Sequence, residues 1–332
     1  MKQNLRKIYL ICLFTLITAV VGASNDGKSF ISYPGGKCYM FRVTLRDKAE
    51  SPYSLDKPRL FLSEAALKRR ERQHLQLDST DLPVSPTYIQ KIRKEGGNVV
   101  AISKWNNSVL VRGNNRQTLE DLKVLPFVRD SKLVFTSPDS IRPLSQRVRY
   151  RPDLQVLDST IHDYYGMGKA QLENLNGRKL HNMGFQGQGM TIAVLDAGFM
   201  NVDKMAAFKN VNIVGTHNFV AGYDADVYKE MDHGTKTLSV IAVNQPSTFV
   251  GSAPKASFWL LRSEDYLTES SAEEDYWIAA AEFADSVGVD VISSSLGYHG
   301  FDDKSLNYHY SDLNGLTAPI SRAASLLASK GI

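Results

Sequence analysis

Two side chains in the second half of the chain have the types and positions that nucleophilic catalysis requires. Asp196 ends an apolar run at residues 191–195, and His233 stands at a helix start, directly after Asp232. In a nucleophilic triad a carboxylate holds an imidazole in one tautomer, and the imidazole removes a proton from the nucleophile. The sequence therefore offers Asp196 and His233 as the acid and the base of such a site. Gly234 permits close backbone packing beside the imidazole.

Spacing alone leaves other interpretations open. An aspartate that ends a strand is most often a turn residue or a helix cap, and a histidine in a polar stretch is most often a surface residue. His217 and His181 are competing bases, but His217 lies within a strand pattern and His181 within a helix-like run. Gly187-Gln188-Gly189 suggests a nucleotide-binding loop. These glycines precede a strand instead of following it, which does not fit a phosphate-binding turn.

The elements around these residues predict an α/β domain over residues 156–332. Apolar runs predict strands and amphipathic runs predict helices, in alternation. The strands are expected at residues 191–195, 211–219, 258–261 and 289–293, and the helices at 235–243, 276–286 and 320–329. Such alternation predicts a mainly parallel, doubly wound sheet with helices on both faces, whose functional groups gather at the carboxyl ends of the strands. Asp196, His233 and the segment Ser295-Leu296-Gly297 are all expected at such ends.

Four sequence blocks resemble those of the subtilisin-like serine peptidases, the subtilase family. The blocks are TIAVLDAG at 191–198, DHGT at 232–235, GSAPKA at 251–256 and ISSSLG at 292–297. They occur in the family's order and cover about residues 165–332. The resemblance implies a secreted serine endopeptidase with a subtilisin-like sheet, with Asp196 and His233 catalytic. It also implies that Ser295, Leu296 and Gly297 form the substrate-binding strand, that proteins or peptides are the substrates, and that no cofactor is needed.

The sequence departs from the family pattern beside the candidate acid and base. Ala197 stands where the family often has Ser or Thr, so we expect the Asp196 carboxylate to lose a hydroxyl bond and to rely on backbone donors. Lys236 stands where a histidine is often repeated, and Ser239 replaces a frequent glycine.

The nucleophile block of the family, G-T-S-x-A, is missing from the 332 residues. Ser293, Ser294 and Ser295 belong to the substrate strand. We therefore expect a partial sequence, with the serine and the oxyanion hole beyond Ile332, and no activity for this chain alone. The alternative is a non-catalytic peptide-binding protein on the same scaffold.

Residues 24–135 are predicted to form a small α+β module that contains no catalytic cluster. The element order β, α, α, β, β, α, β matches a ferredoxin-like unit with one added helix, and the resemblance makes this module the propeptide. Its helix after Ser63 carries Lys68, Arg69, Arg70 and Arg72. A nucleic-acid site is one interpretation of this run. We predict a solvated helix face beside Glu64 and Glu71 instead, and no nucleic-acid partner. Residues 136–155, rich in Pro, Ser and Arg, are predicted to be a protease-sensitive linker.

The two halves carry opposite charge. Residues 24–150 contain 23 Lys and Arg against 13 Asp and Glu, whereas residues 151–332 contain 13 against 22. Oppositely charged surfaces attract each other, so we expect the basic module to dock on the acidic domain. The affinity of this contact should fall as the salt concentration rises.

The N-terminus has the pattern of an export signal. Lys2, Arg6 and Lys7 precede an apolar run at residues 8–21, and Val21-Gly22-Ala23 supplies the small residues of a cleavage site. We predict a signal peptide at residues 1–23, secretion, and no membrane attachment after cleavage.

Cysteines and metal motifs are scarce. The two cysteines, Cys12 and Cys38, exclude a disulfide scaffold and a cysteine-built zinc site. No D-x-D-x-D-G loop occurs, so the sequence predicts no cofactor and leaves a calcium site open.

Overall fold

The computed structural model describes residues 30–141 and 163–332. The predicted signal peptide and residues 142–155 of the predicted linker lie outside the described residues. None of the described helices is long and apolar enough to cross a membrane.

The first module is a four-stranded antiparallel sheet with helices on one face. Its elements are β1 (Tyr39–Leu45), α1 (Glu64–Arg72), α2 (Pro86–Lys94), β2 (Asn98–Ser103), β3 (Ser108–Gly113), α3 (Gln117–Lys123) and β4 (Val128–Thr136). The strand order β2-β3-β1-β4, with antiparallel neighbours, is that of a ferredoxin-like unit. The predicted order of elements and the α+β fold are therefore confirmed.

Both faces of β1 are covered, although the alternation of its residues predicts a half-buried strand. Phe41 and Val43 pack into a core with Tyr88 and Ile92 of α2. On the opposite face, Met40 belongs to a cluster shared with the second module. A sequence pattern cannot distinguish a solvated face from one that docks on another module.

The second module is built around a parallel sheet. Its elements are α4 (Lys169–Asn174), α5 (Gly177–Asn182), β5 (Thr191–Asp196), β6 (Asn212–Asn218), α6 (His233–Ala242), β7 (Asn244–Gln245), β8 (Phe249–Val250), β9 (Ser257–Arg262), α7 (Ala272–Val287), β10 (Val291–Ser294) and α8 (Pro319–Ser329). The sheet order is β10-β5-β9-β6 with all neighbours parallel, and β7 and β8 form a separate hairpin.

Helices cover both faces of this sheet. Ile192 and Val194 of β5 pack into a cluster that includes Leu238 of α6, while Ala193 and Leu195 pack against α7 and α8. Successive residues of a strand point to opposite faces, so a strand that is apolar at every position must be covered on both. The predicted α/β, doubly wound class is confirmed, and β5 lies inside the sheet.

The basic run of α1 corrects a prediction. Lys68 and Arg72 are exposed, but Arg69 and Arg70 are only 1% and 2% exposed, so the run is not a solvated face. Both guanidinium groups bond to Asp285 of α7, with Arg70 Nη2 2.9 Å from Oδ1. The partner of the two buried arginines lies more than 200 residues further along the chain, whereas Glu64 and Glu71 are only their neighbours in sequence.

Candidate active site

Asp196 is the last residue of β5 and is completely buried. The backbone N–H of Ala197 donates to its Oδ1 at 2.8 Å. The N–H of Ser263 donates to the Asp196 carbonyl at 3.0 Å, which ties this strand end to the chain just beyond β9. A buried carboxylate must be hydrogen-bonded, and here the Ala197 N–H supplies one of the bonds that it needs.

His233 is the first residue of α6, and its ring meets the Asp196 carboxylate. His233 Nδ1 lies 2.7 Å from Asp196 Oδ1, while the His233 side chain remains 49% exposed. The structure therefore brings together the two residues that the sequence singled out. An imidazole held by a carboxylate through Nδ1 leaves Nε2 as its second functional nitrogen.

Thr237 supplies the hydroxyl that the sequence predicted to be missing. Its Oγ1 donates to Asp196 Oδ2 at 3.1 Å. The expectation that Ala197 deprives the carboxylate of a hydroxyl bond is therefore wrong, because the donor comes from one turn further along α6 than His233. The signal was present in the sequence, since residues at i and i+4 share a helix face.

Two glycines allow the backbones around this pair to approach. A Cβ on Gly198 would lie 2.2 Å from the Glu230 carbonyl oxygen, and one on Gly234 would lie 2.5 Å from the Gly198 carbonyl oxygen. Real Cβ atoms do not occur at such distances, so these positions require glycine. The predicted role of Gly234 in close packing is confirmed.

The segment Ser295-Leu296-Gly297 follows β10 at the same end of the sheet. The register pairs Ser294 with Leu195, so the segment begins level with Asp196. Among the described strands β10 pairs with β5 alone. Ser295 and Gly297 are exposed, and a Cβ on Gly297 would meet no atom within 4 Å.

The competing histidines lie in other surroundings. His181 is buried in α5, and its Nε2 lies 3.0 Å from the Ser252 carbonyl oxygen. His217 is on β6 and stacks on Phe283, where burial lowers its pKa. Gly187, Gln188 and Gly189 precede β5, as the sequence indicated.

Two charged residues beside the pair were not singled out from the sequence. Arg262 ends β9 directly beside Asp196 in the parallel register and is fully buried. Glu264 lies two residues further on, and burial together with the charges of Asp196 and Glu269 raises its pKa to about 7. The sequence feature that could have indicated Arg262 is a charged residue at the end of the apolar run 258–261.

Within residues 30–141 and 163–332 no group of three or more His, Cys, Asp or Glu side chains could hold a metal ion.

Comparison with known proteins identifies two domains in the chain. Residues 187–327 match the model of the subtilase family and form a subtilase domain. Residues 40–149 match the peptidase S8 propeptide domain of Bacteroidota, so a propeptide domain precedes the subtilase domain.

Individual relatives are similar over part of their length. Subtilisin E of Bacillus subtilis (strain 168) and subtilisin J of Geobacillus stearothermophilus are each 24% identical over 207 residues, which are 62% of this chain and 46% of each relative. The chain thus spans about half the length of these curated relatives. The epidermin leader peptide processing serine protease of Staphylococcus aureus is 15% identical with a TM-score of 0.50, over 89% of this chain and 59% of that chain. This last similarity shows the fold.

The propeptide domain contacts the subtilase domain along α7, through an apolar cluster that includes Met40 and Tyr276 and through charged and polar groups. The Glu282 carboxylate accepts bonds from the Ser103 hydroxyl at 2.6 Å and from the N–H groups of Lys104 and Trp105 at 2.7 and 3.0 Å. It thereby caps the turn between β2 and β3. Burial raises the pKa of Glu282 to about 7.

Further ion pairs lie on either side of Glu282. Arg42 Nη2 is 2.7 Å from Asp275 Oδ2 near the start of α7, and Lys104 Nζ is 3.0 Å from Asp285 Oδ2 near its end. In the reverse direction, Lys330 of the subtilase domain reaches Asp81 of the propeptide domain at 3.0 Å. The attraction inferred from the net charges is therefore localised in buried pairs.

Proposed function

We propose that this chain carries the acid and base residues of a secreted serine endopeptidase of the Asp-His-Ser type. The observation that carries the proposal is the 2.7 Å contact between His233 Nδ1 and a fully buried Asp196 at the end of a central parallel strand. In this role Asp196 holds the proton on Nδ1 and stabilises the imidazolium, and Nε2 accepts the proton of the attacking serine and later returns it to the leaving amine. Secretion rests on the export-signal pattern of residues 1–23.

No residue of this chain is assigned as the nucleophile. In the described residues, the Asp196 carboxylate is the only side-chain hydrogen-bond partner of the His233 ring. The three consecutive serines at 293–295 lie at the end of β10 and directly after it. In this proposal they belong to the segment that binds substrate. The serine belongs to a further part of the peptidase domain.

The segment after β10 suits an extended peptide. Such a peptide forms main-chain hydrogen bonds with an extended segment, and pockets then read its side chains. Ser295, Leu296 and Gly297 would bind substrate here, because they continue β10 level with Asp196 and because Ser295 and Gly297 are exposed. The open space over Gly297 leaves room for a substrate backbone.

The propeptide domain acts in this proposal as an intramolecular partner that keeps the enzyme inactive until the linker is cut. Its support is the docking of β1, β2 and α1 on α7 through charges supplied by both sides. Cleavage between residues 141 and 163 should leave two fragments that co-elute at low ionic strength. Separation of the fragments under native conditions would contradict inhibition by a bound propeptide domain.

The catalytic role is tested by two preparations. The 332-residue chain should not cleave casein, and a longer chain that continues with a serine-bearing subtilase segment should cleave it. In the longer chain, His233→Ala should lower turnover by several orders of magnitude. His181→Ala is the matched control, because that ring contacts a backbone carbonyl and not Asp196.

The second candidate function is peptide binding without cleavage on the same scaffold. It is favoured by the exposed Ser295 and Gly297 beside Asp196, which would hold a peptide without any cleavage step. Casein cleavage by the longer chain that depends on His233 would exclude it. A longer chain that binds peptides without cleaving them would support it.

A further inference from the structure

Arg262 connects the two backbone segments that carry the candidate acid and base. Its Nε donates to the carbonyl of Ala197, the residue after Asp196, at 3.0 Å. Its Nη1 lies 3.2 Å from Glu230 Oε2, and its Nη2 donates to the Glu230 carbonyl at 3.4 Å. Glu230 is three residues before His233. One planar guanidinium therefore bonds to both sides of the pair.

The position of Arg262 follows from the sheet. The parallel register sets Arg262 beside Asp196, so the end of β9 and the end of β5 lie at the same level. The guanidinium is 0% exposed and lies 5.7 Å from the centre of the Tyr223 ring. A buried charge of this kind persists only where its donors are satisfied, and here they are satisfied by the two flanking segments.

Asp196 and His233 lie on different elements, and the chain between them runs through β6 before it reaches α6. Thirty-six residues separate them in sequence, while catalysis by a held imidazole needs a hydrogen bond of fixed length. Other contacts join the same segments, including the Met200 N–H with the Met231 carbonyl at 2.9 Å and the Thr235 hydroxyl with the Met200 carbonyl at 2.9 Å. The Thr237 hydroxyl of α6 also reaches the Asp196 carboxylate itself. Arg262 differs from these contacts because it joins the backbone next to Asp196 to the backbone before His233.

We propose that Arg262 is a positioning residue, which sets the Asp196–His233 hydrogen bond by clamping the Ala197 and Glu230 backbones together. This inference rests on the proposed function, since it gives Arg262 a role through the acid and base pair. It assigns Arg262 no contact with substrate. The rigid fork matters as much as the charge, because a lysine ammonium cannot span both segments in the same plane.

The tautomer of His233 is a direct measure of the positioning that we assign to Arg262, and it can be measured without a nucleophile. Long-range ¹H–¹⁵N correlation spectra of the full chain, recorded at about pH 9 where an ordinary imidazole is neutral, distinguish Nδ1–H from Nε2–H. The wild type should show Nδ1–H for His233. Arg262→Met should convert a large part of the population to Nε2–H, and Arg262→Lys should restore the wild-type tautomer only in part.

Arg69→Met is the matched control, because Arg69 is equally buried and bonded but lies at the contact between domains. It should lower the thermal midpoint and leave the His233 tautomer unchanged. If Arg262→Met does not fold, Arg262→Lys decides, since it keeps a cation and loses the planar guanidinium.

The possible results separate the two proposals. Folded Arg262 variants with the wild-type tautomer would overturn the clamp and leave the acid and base pair intact. A wild-type His233 that is not Nδ1–H would remove the pair itself, and with it both proposals. Loss of Nδ1–H in the Arg262 variants but not in Arg69→Met supports the clamp.

Discussion

Asp285 is the residue on which the contact between the two domains depends most. Its carboxylate is fully buried and forms ion pairs with three cations of the propeptide domain. The distances are 2.5 Å to Arg69 Nη2, 2.9 Å to Arg70 Nη2 and 3.0 Å to Lys104 Nζ. Asp285→Asn keeps the size of the side chain and removes its charge. Three cations from the propeptide domain would then lose their shared counter-charge.

The size of the effect follows from what each cation retains. Breaking a buried ion pair by removing one partner costs about 3–5 kcal/mol, because a charge is left uncompensated. Arg70 keeps Asp81 at 2.7 Å, and Lys104 keeps the Ser286 hydroxyl at 3.1 Å. Arg69 keeps backbone carbonyls only. We therefore expect a loss near the lower end, about 3 kcal/mol of the free energy of unfolding.

The assay is urea unfolding of the full chain, followed by circular dichroism and by tryptophan fluorescence. Arg72→Gln is the matched control, because Arg72 lies on the same helix and pairs with Asp290 at 2.9 Å but is 64% exposed. An exposed pair contributes at most about 1 kcal/mol. The difference between the two variants should persist at high salt, since buried pairs are screened little. Equal losses in the free energy of unfolding for Asp285→Asn and Arg72→Gln would refute the reasoning.

Three further predictions concern single side chains. Burial raises the pKa of Glu282 to about 7, so the folded state binds its proton more tightly than the unfolded state. Stability should then fall as pH rises from about 4.5 to 7, and Glu282→Gln should flatten that part of the urea-unfolding profile. Thr237→Val should lower the free energy of unfolding by about 1 kcal/mol while Thr237→Ser retains it, since only the serine keeps a donor to Asp196; equal thermal midpoints would contradict this. Gly297→Val should leave the thermal midpoint unchanged, because its Cβ meets no atom, yet in an active longer chain it should weaken peptide cleavage strongly; unchanged cleavage of every tested peptide would remove Gly297 from the substrate site.

The sequence predicted most of the secondary structure, because local patterns decide it. Ser63 begins α1 and accepts the Ala66 N–H at 3.1 Å, as expected of an N-cap residue. The apolar run before Asp196 predicted a strand covered on both faces, and β5 is such a strand. The motif blocks around Asp196 and His233 predicted a pair, and the structure brings the two together. The domain boundaries and the individual site roles remain predictions.

The sequence could not predict which groups face one another across the fold. The basic run of α1 has acidic neighbours in sequence, yet its buried members bond to Asp285, and a periodicity contains no information about a partner on another element. Arg262 was missed for the same reason, because its contacts depend on how β9 sits against β5. The spacing puts Thr237 on the same helix face as His233, but its contact with Asp196 depends on how α6 sits against β5.

Local sequence patterns thus specify the order of helices and strands, the α/β class and the identity of the candidate acid and base. Each of these is encoded within a few neighbouring residues, through periodicity, caps and short motifs. The donors that hold Asp196, the guanidinium that joins the segments around it and the charges that become buried between the domains follow from the packing of distant elements. Burial makes a charge depend on its surroundings, and those surroundings come from residues that are tens to hundreds of positions away in the chain.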